Sequence, residues 1–182
     1  MSDPLQQDYF TLFNLKPVYR VAEPALKAQY LALQQQYHPD RAVNADSAAQ
    51  TLAVQRTAYI NDAYQTLKHP LKRAAYLLEQ LGYSLQSDGG AASRVMDPDF
   101  LLQQMTLHEE LETLRHADNA LDRLVVFQDS LRRDEKALQQ ELLQLFDNGS
   151  ATALTQARER VQRMKFLQRL QEEILELEST LL

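Results

Sequence analysis

Helix breakers are scarce in this chain. Its 182 residues include only 4 glycines and 6 prolines, so tight turns are few and the elements between them long. Leucine, glutamine, alanine and glutamate fill those elements, and all four favour helix. The reading is an all-α protein. Apolar residues make up 45% and charged residues 24%, a balance suited to a globular chain with a buried core. The length allows one sizeable domain or two small ones.

The breakers also mark the joints. A short apolar stretch, "YFTLFNL", opens the fold. "EPALKAQYLALQQQY" follows, with Leu26, Tyr30, Leu33 and Tyr37 on one helical face and Pro24 in the first turn. Pro39 forces a break, because it lacks an amide hydrogen and disfavours helix at His38. A long helix resumes near Asp46 or Ser47 and runs through "INDAYQTLKH". Pro70 restarts the chain into a helix that Gly82 should end. Residues 84–97 are rich in Ser, Gly and Ala and read as a linker. Beyond it lie a helix over 98–116, a second from about Ala120 to Phe146, a turn at "DNGS", and a last helix to the C-terminus. Three long helices joined by short turns predict an antiparallel bundle. The expected domains are 1–83 and 98–182.

Several functional classes are disfavoured. There is no cysteine, which removes disulfides, thiolate nucleophiles and cysteine-held metal centres. The net charge is −6; residues 1–97 carry nine basic and nine acidic side chains, and residues 98–182 carry ten and sixteen. Neither half shows the basic excess of a nucleic-acid binder. No basic segment followed by an apolar run suggests a signal peptide, and no apolar run is long enough to span a membrane. A cytoplasmic protein is expected. His108, Glu112 and His116 recur at spacings of four and offer metal-ligand chemistry, but exposed helices place such residues by chance, and no metal or cofactor is expected. No catalytic constellation emerges, so an enzyme is not expected.

His38-Pro39-Asp40 sits between two antiparallel helices. An imidazole donates and accepts hydrogen bonds, the proline limits the backbone, and the carboxylate can pair with a partner's arginine. Rigid display lowers the ordering penalty of binding. An isolated tripeptide would be only a helix stop, but its surroundings add to it. The arrangement resembles a J domain, the module that activates DnaK-class chaperones. That family's third helix ends in N-x-A-Y-x-x-L, matched by Asn61, Ala63, Tyr64 and Leu67, and its fourth opens with a basic-alanine-x-tyrosine segment, matched by Lys72, Arg73, Ala74 and Tyr76. The resemblance implies that Tyr37, His38, Pro39, Asp40 and Arg41 dock on the chaperone together with Lys27. Lys27 is nearly the only charge on a helix where the family usually presents a basic face; Gln29, Gln34, Gln35 and Gln36 stand in its place. Long-range steering should then be weak.

The helix from residue 98 carries two apolar stripes. Phe100, Leu107, Leu111 and Leu114 fall within about 60° of one another and form a core stripe. Leu101, Leu102 and Met105 lie on another face, followed by Glu109 and Glu112. Such a helix buries both stripes or offers one to a partner. In the last helix Met164, Leu167, Leu170 and Ile174 make the local core stripe, while Phe166 points to the side, where it adjoins the spare patch if the two helices pack together.

Taken whole, through "DYFTLF", "QYHPDR", "LKHPLKRAAYLL", "FLLQQMTLHEEL" and "MKFLQRL", the chain resembles the HscB family of J-type co-chaperones in iron–sulfur cluster assembly. The resemblance implies a J domain packed with a C-terminal three-helix bundle. It also implies two partners, the DnaK-class chaperone HscA and the scaffold protein IscU, the latter held by Leu101, Leu102, Met105, Glu109 and Phe166. Thr106 and Thr113 stand where the family can carry further acids. Two other readings exist. A general J-domain co-chaperone for another client would usually carry a Gly/Phe-rich region and zinc-binding cysteines, absent here. A helical adaptor would leave the tripeptide without purpose.

Overall fold

The computed structural model describes residues 3–42, 46–85 and 97–181. Among them every regular element is helical, and no helix is long and apolar enough to cross a membrane. The chain divides into two compact units, residues 1–77 and 78–182.

Each helix of the first unit starts or stops on a residue chosen for it. Helix α1 (Tyr9–Leu12) is capped by Asp8, whose carboxylate accepts from the Phe10 and Thr11 amides at 3.0 and 3.1 Å and from the Thr11 hydroxyl at 2.6 Å. Burial pushes this carboxyl up, yet the hydrogen bonds from Thr11 and Phe10 outweigh it and hold the group below its ordinary value. Helix α2 (Glu23–Tyr37) has Pro24 in its first turn and stops at His38. A 3-10 turn, Pro39–Ala42, follows. Helix α3 (Ser47–Lys68) begins on the Asp46 cap, which accepts from the Ala49 amide at 2.8 Å. Helix α4 (Pro70–Gln80) starts on proline. The expected joints at Pro39, Asp46 and Pro70 all appear.

Helices α2 and α3 run antiparallel. Tyr37 faces Thr57 at one end, and Tyr30 stacks on Tyr64 at 4.0 Å and donates to Asn61 at 3.1 Å further along. Phe10, Phe13, Leu26, Ile60 and Leu67 are fully buried between these helices and α1. Arg73 is buried as well. Its guanidinium lies 5.1 Å above the Tyr19 ring and donates to the Leu67 carbonyl at 2.6 Å, closing the corner between α3 and α4. Burial lowers its pKa against the pull of Tyr19 and Glu23.

In the second unit, Gly82 ends α4 as expected. At φ +83° it takes a conformation that suits glycine, and the bonds from Tyr83 N–H to Leu78 O (2.8 Å) and Gly82 N–H to Glu79 O (3.0 Å) form a Schellman stop. Residues 86–96 of the expected linker lie outside the described residues. Helices α5 (Pro98–Arg115), α6 (Ala120–Asn148) and α7 (Ala151–Leu181) then form the bundle. Gly149, at φ +63°, ends α6, and the Ser150 hydroxyl caps α7 by accepting from the Ala153 amide at 3.2 Å.

The pairs Glu141–Arg160, Glu135–Gln171 and Gln128–Glu178 set α6 antiparallel to α7. Asp97–Arg163 and His108–Glu173 set α5 parallel to α7, giving an up-down-up arrangement. Leu124, Leu131, Leu142, Val161, Leu170 and Ile174 are fully buried between the helices. Phe100, Leu111 and Leu114 are buried as expected, whereas Leu107 is only half-buried.

Candidate functional site

The loop after α2 is anchored from α3 and from the start of the chain. The Thr57 hydroxyl donates to the Tyr37 carbonyl at 2.9 Å, and the Arg56 guanidinium sits 5.7 Å from the centre of the Tyr37 ring. Arg56 is gripped by both oxygens of Asp3, at 2.8 and 3.1 Å, a bidentate pair. That hydrogen bond holds Asp3 below its ordinary value and raises Arg56 above its own. Tyr37 is thereby held at ring and carbonyl just before the backbone turns.

Within the loop, the Asp40 amide donates to His38 Nδ1 at 3.2 Å. In the neutral ring this bond makes Nδ1 the acceptor and leaves the proton on Nε2. Asp40 Oδ2 lies 3.4 Å from the same nitrogen. The side chains of His38 and Asp40 are 51% and 84% exposed, so both heads are open to a partner. Of Arg41 only the backbone turn is described. Lys27 is exposed on α2 and lines a shallow hollow with Glu23, Tyr64 and Lys68. Lys68 places its ammonium 5.8 Å from the Tyr64 ring centre, so α3 brings a second cation to the hollow where the α2 sequence offers one.

The second surface lies on α5. Leu101, Leu102 and Met105 are 43%, 63% and 53% exposed, a run of large apolar side chains turned away from the core stripe. Phe166 on α7 is half-buried, edge-on to Phe100 of α5 with ring centres 5.9 Å apart. The structure therefore seats Phe166 against α5 between Phe100 and His108, over the same two turns that carry Leu101, Leu102 and Met105. Glu109 is exposed, and among the described residues its carboxylate has no hydrogen bond or ion pair. Thr106 and Thr113 donate to the carbonyls of Leu102 and Glu109 at 3.0 and 2.9 Å, so both hydroxyls are engaged with their own helix.

Sequence reasoning did not find the groups that tie α5 to α7. Arg163 pairs with Asp97 and lies 5.2 Å from the Phe100 ring centre. His108 packs edge-on to Phe166 at 5.5 Å and places Nδ1 3.7 Å from Glu173. Glu112 pairs instead with Arg115 at 3.3 Å. Among the described residues no cluster of three metal-ligating side chains occurs. Leu121, Val125 and Val126 on α6 are also exposed, and no sequence pattern had separated them from the core.

A helical hairpin that displays His-Pro-Asp defines a J-domain protein, and residues 8–76 match the DnaJ domain family. Such a domain implies an Hsp70-type chaperone as partner. Residues 96–175 match the family described as HSCB C-terminal oligomerisation domain. Co-chaperone protein HscB homologues from Shewanella pealeana and Shewanella halifaxensis are each 37% identical to this chain, over 96% of it and 99% and 98% of their own lengths. The chain belongs to the HscB family of co-chaperones. The structure of chaperone HscB from Vibrio cholerae superposes with a TM-score of 0.80 at 33% identity, covering 97% of this chain and all of that one. Human co-chaperone protein HscB shares the fold, with a TM-score of 0.80 at 24% identity over 97% of this chain and 84% of its own.

Proposed function

We propose that this chain brings the iron–sulfur scaffold IscU to the DnaK-class chaperone HscA in the cytoplasm and stimulates ATP hydrolysis there, assisting the maturation of iron–sulfur proteins. One observation carries the reading: a single chain displays both an anchored His-Pro-Asp loop and an exposed apolar run, Leu101, Leu102 and Met105, which its own core does not need. The chaperone docks on Tyr37, His38, Pro39, Asp40 and Arg41, with Lys27 alongside. The scaffold docks on Leu101, Leu102, Met105 and Phe166, with Glu109 at the polar rim.

Tethering is the mechanism. Holding the scaffold on one unit and the chaperone on the other raises the effective concentration of each for the other without any new contact. The chain hydrolyses nothing itself; the ATPase centre belongs to HscA. The test is the ATPase rate of purified HscA with this protein, with and without IscU, beside His38→Gln. Stimulation that rises synergistically with IscU and vanishes in the variant supports both docking assignments. Stimulation indifferent to IscU removes the scaffold, and no stimulation removes the chaperone.

A further inference from the structure

The contacts between α5 and α7 form an alternating ladder. Asp97, at the α5 cap, pairs with Arg163 of α7. Arg163 lies over Phe100 of α5. Phe100 meets the edge of Phe166 of α7 at 85°. Phe166 in turn meets His108 of α5 at 5.5 Å and 78°, and His108 ends the ladder at Glu173 of α7, 3.7 Å away. Every rung crosses from one helix to the other.

Phe166 is the central rung and the only member that the proposed scaffold surface uses. Leu101, Leu102 and Met105 all come from α5, so Phe166 alone makes that surface two helices wide. Its ring is walled on one side by buried Phe100 and on the other by His108, whose side chain is 49% exposed. A half-buried phenylalanine at a bundle edge, with a wall on one side only, would retain rotamer freedom that a partner must remove on binding.

We propose that His108 is a positioning residue: its ring walls the open side of Phe166 and seats it so that the phenylalanine is already in place for the scaffold. The inference rests on the assignment of the scaffold to this patch and adds a residue that touches the partner only through Phe166. Because His108 and Glu173 are both about half exposed, removing the imidazole leaves the bundle core intact.

The experiment is calorimetric titration of IscU into the full chain, with His108→Ala, His108→Phe and the pair Leu101→Ala with Met105→Ala. The ring resonances of 13C-labelled phenylalanine are followed in parallel. Freezing one side chain is worth roughly 0.5–1.5 kcal/mol, or about two- to tenfold in affinity. His108→Ala is expected to weaken binding by about that factor and to shift the Phe166 ring signals. His108→Phe, which keeps an aromatic wall, is expected to restore affinity to within about twofold. If His108→Ala binds normally while the Leu101 and Met105 pair fails, the positioning role is overturned and the patch stands. If His108→Phe is as weak as His108→Ala, the imidazole contacts the scaffold through its nitrogens and the positioning role is again overturned. If the Leu101 and Met105 pair also binds normally, the patch assignment itself falls.

Discussion

The two units solve the same packing problem with different side chains. All eight tyrosines of the chain lie between residues 9 and 83, and the seven in the first unit fasten its elements around a core of Phe10, Phe13, Leu26, Ile60 and Leu67. Tyr9 stacks on Tyr76 at 4.5 Å, meets Tyr59 edge-on at 5.3 Å, and donates to Asp62 at 2.5 Å. Burial, and then that hydrogen bond, push the Tyr9 hydroxyl well above the ordinary phenol value. The bundle uses aliphatic stripes instead, with polar pairs on its edges. In the first unit a tyrosine covers a large area while its hydroxyl fastens a neighbouring element, as Tyr9, Tyr30 and Tyr59 do. In the bundle, helices of 18, 29 and 31 residues repeat aliphatic stripes along their length, and contact between those stripes fills the core. The comparison shows how each unit can present a docking feature. A turn must be wired in place, as Tyr37 is by Thr57 and Arg56; an apolar patch needs only a core that is complete without it.

Substitutions can break this contrast or sharpen it. The largest effect should come from Leu170→Ala, which opens a cavity in a fully buried layer of the bundle. It should destabilise that unit by about 2–5 kcal/mol in chemical denaturation, with the first unit's transition unmoved. Leu101→Ala with Met105→Ala removes twice as many apolar side-chain atoms, yet from an exposed face, and should shift stability by no more than about 0.5 kcal/mol. It should still weaken IscU binding at least about tenfold, as anchors of an interface do. A large stability loss in this pair would show that the patch is core after all. Tyr9→Phe keeps the ring stack and deletes the bond to Asp62; thermal unfolding should report a loss of about 1 kcal/mol confined to the first unit.

The smallest effect concerns acid. Asp8 is held below its ordinary 3.8 in the folded chain. Its contribution is therefore present above that value and is lost as pH falls through the folded pKa. Asp8→Asn keeps a capping side chain but removes the titration, so its stability should decline less than the wild type's between pH 5 and pH 2 in a denaturation series.

Much of the architecture is legible from local signals. Pro24, Pro39, Pro70, Gly82 and Asp46 mark helix ends because capping and breaking depend on a few adjacent residues. The spare stripe of α5 is legible too, since helical periodicity separates Leu101, Leu102 and Met105 from Phe100, Leu111 and Leu114. What escaped depends on distance along the chain. Asp3 and Arg56 are 53 residues apart, and nothing near either one announces the other. His108 looked like a member of a metal-type trio on its own helix, because its true neighbours, Phe166 and Glu173, come from α7. Thr106 and Thr113 stand where the family can carry acids, and that their hydroxyls turn back onto α5 carbonyls is visible only in the structure.

The tyrosine placement also divides the molecule optically. There is no tryptophan, so ultraviolet emission and near-ultraviolet dichroism of the tyrosine type come from residues 9–83, and the bundle beyond residue 97 contributes only phenylalanine. A fluorescence melt of the intact protein therefore follows the J-domain region, while helical dichroism follows both units. The difference between the two curves reads out the bundle without cutting the chain or attaching a dye.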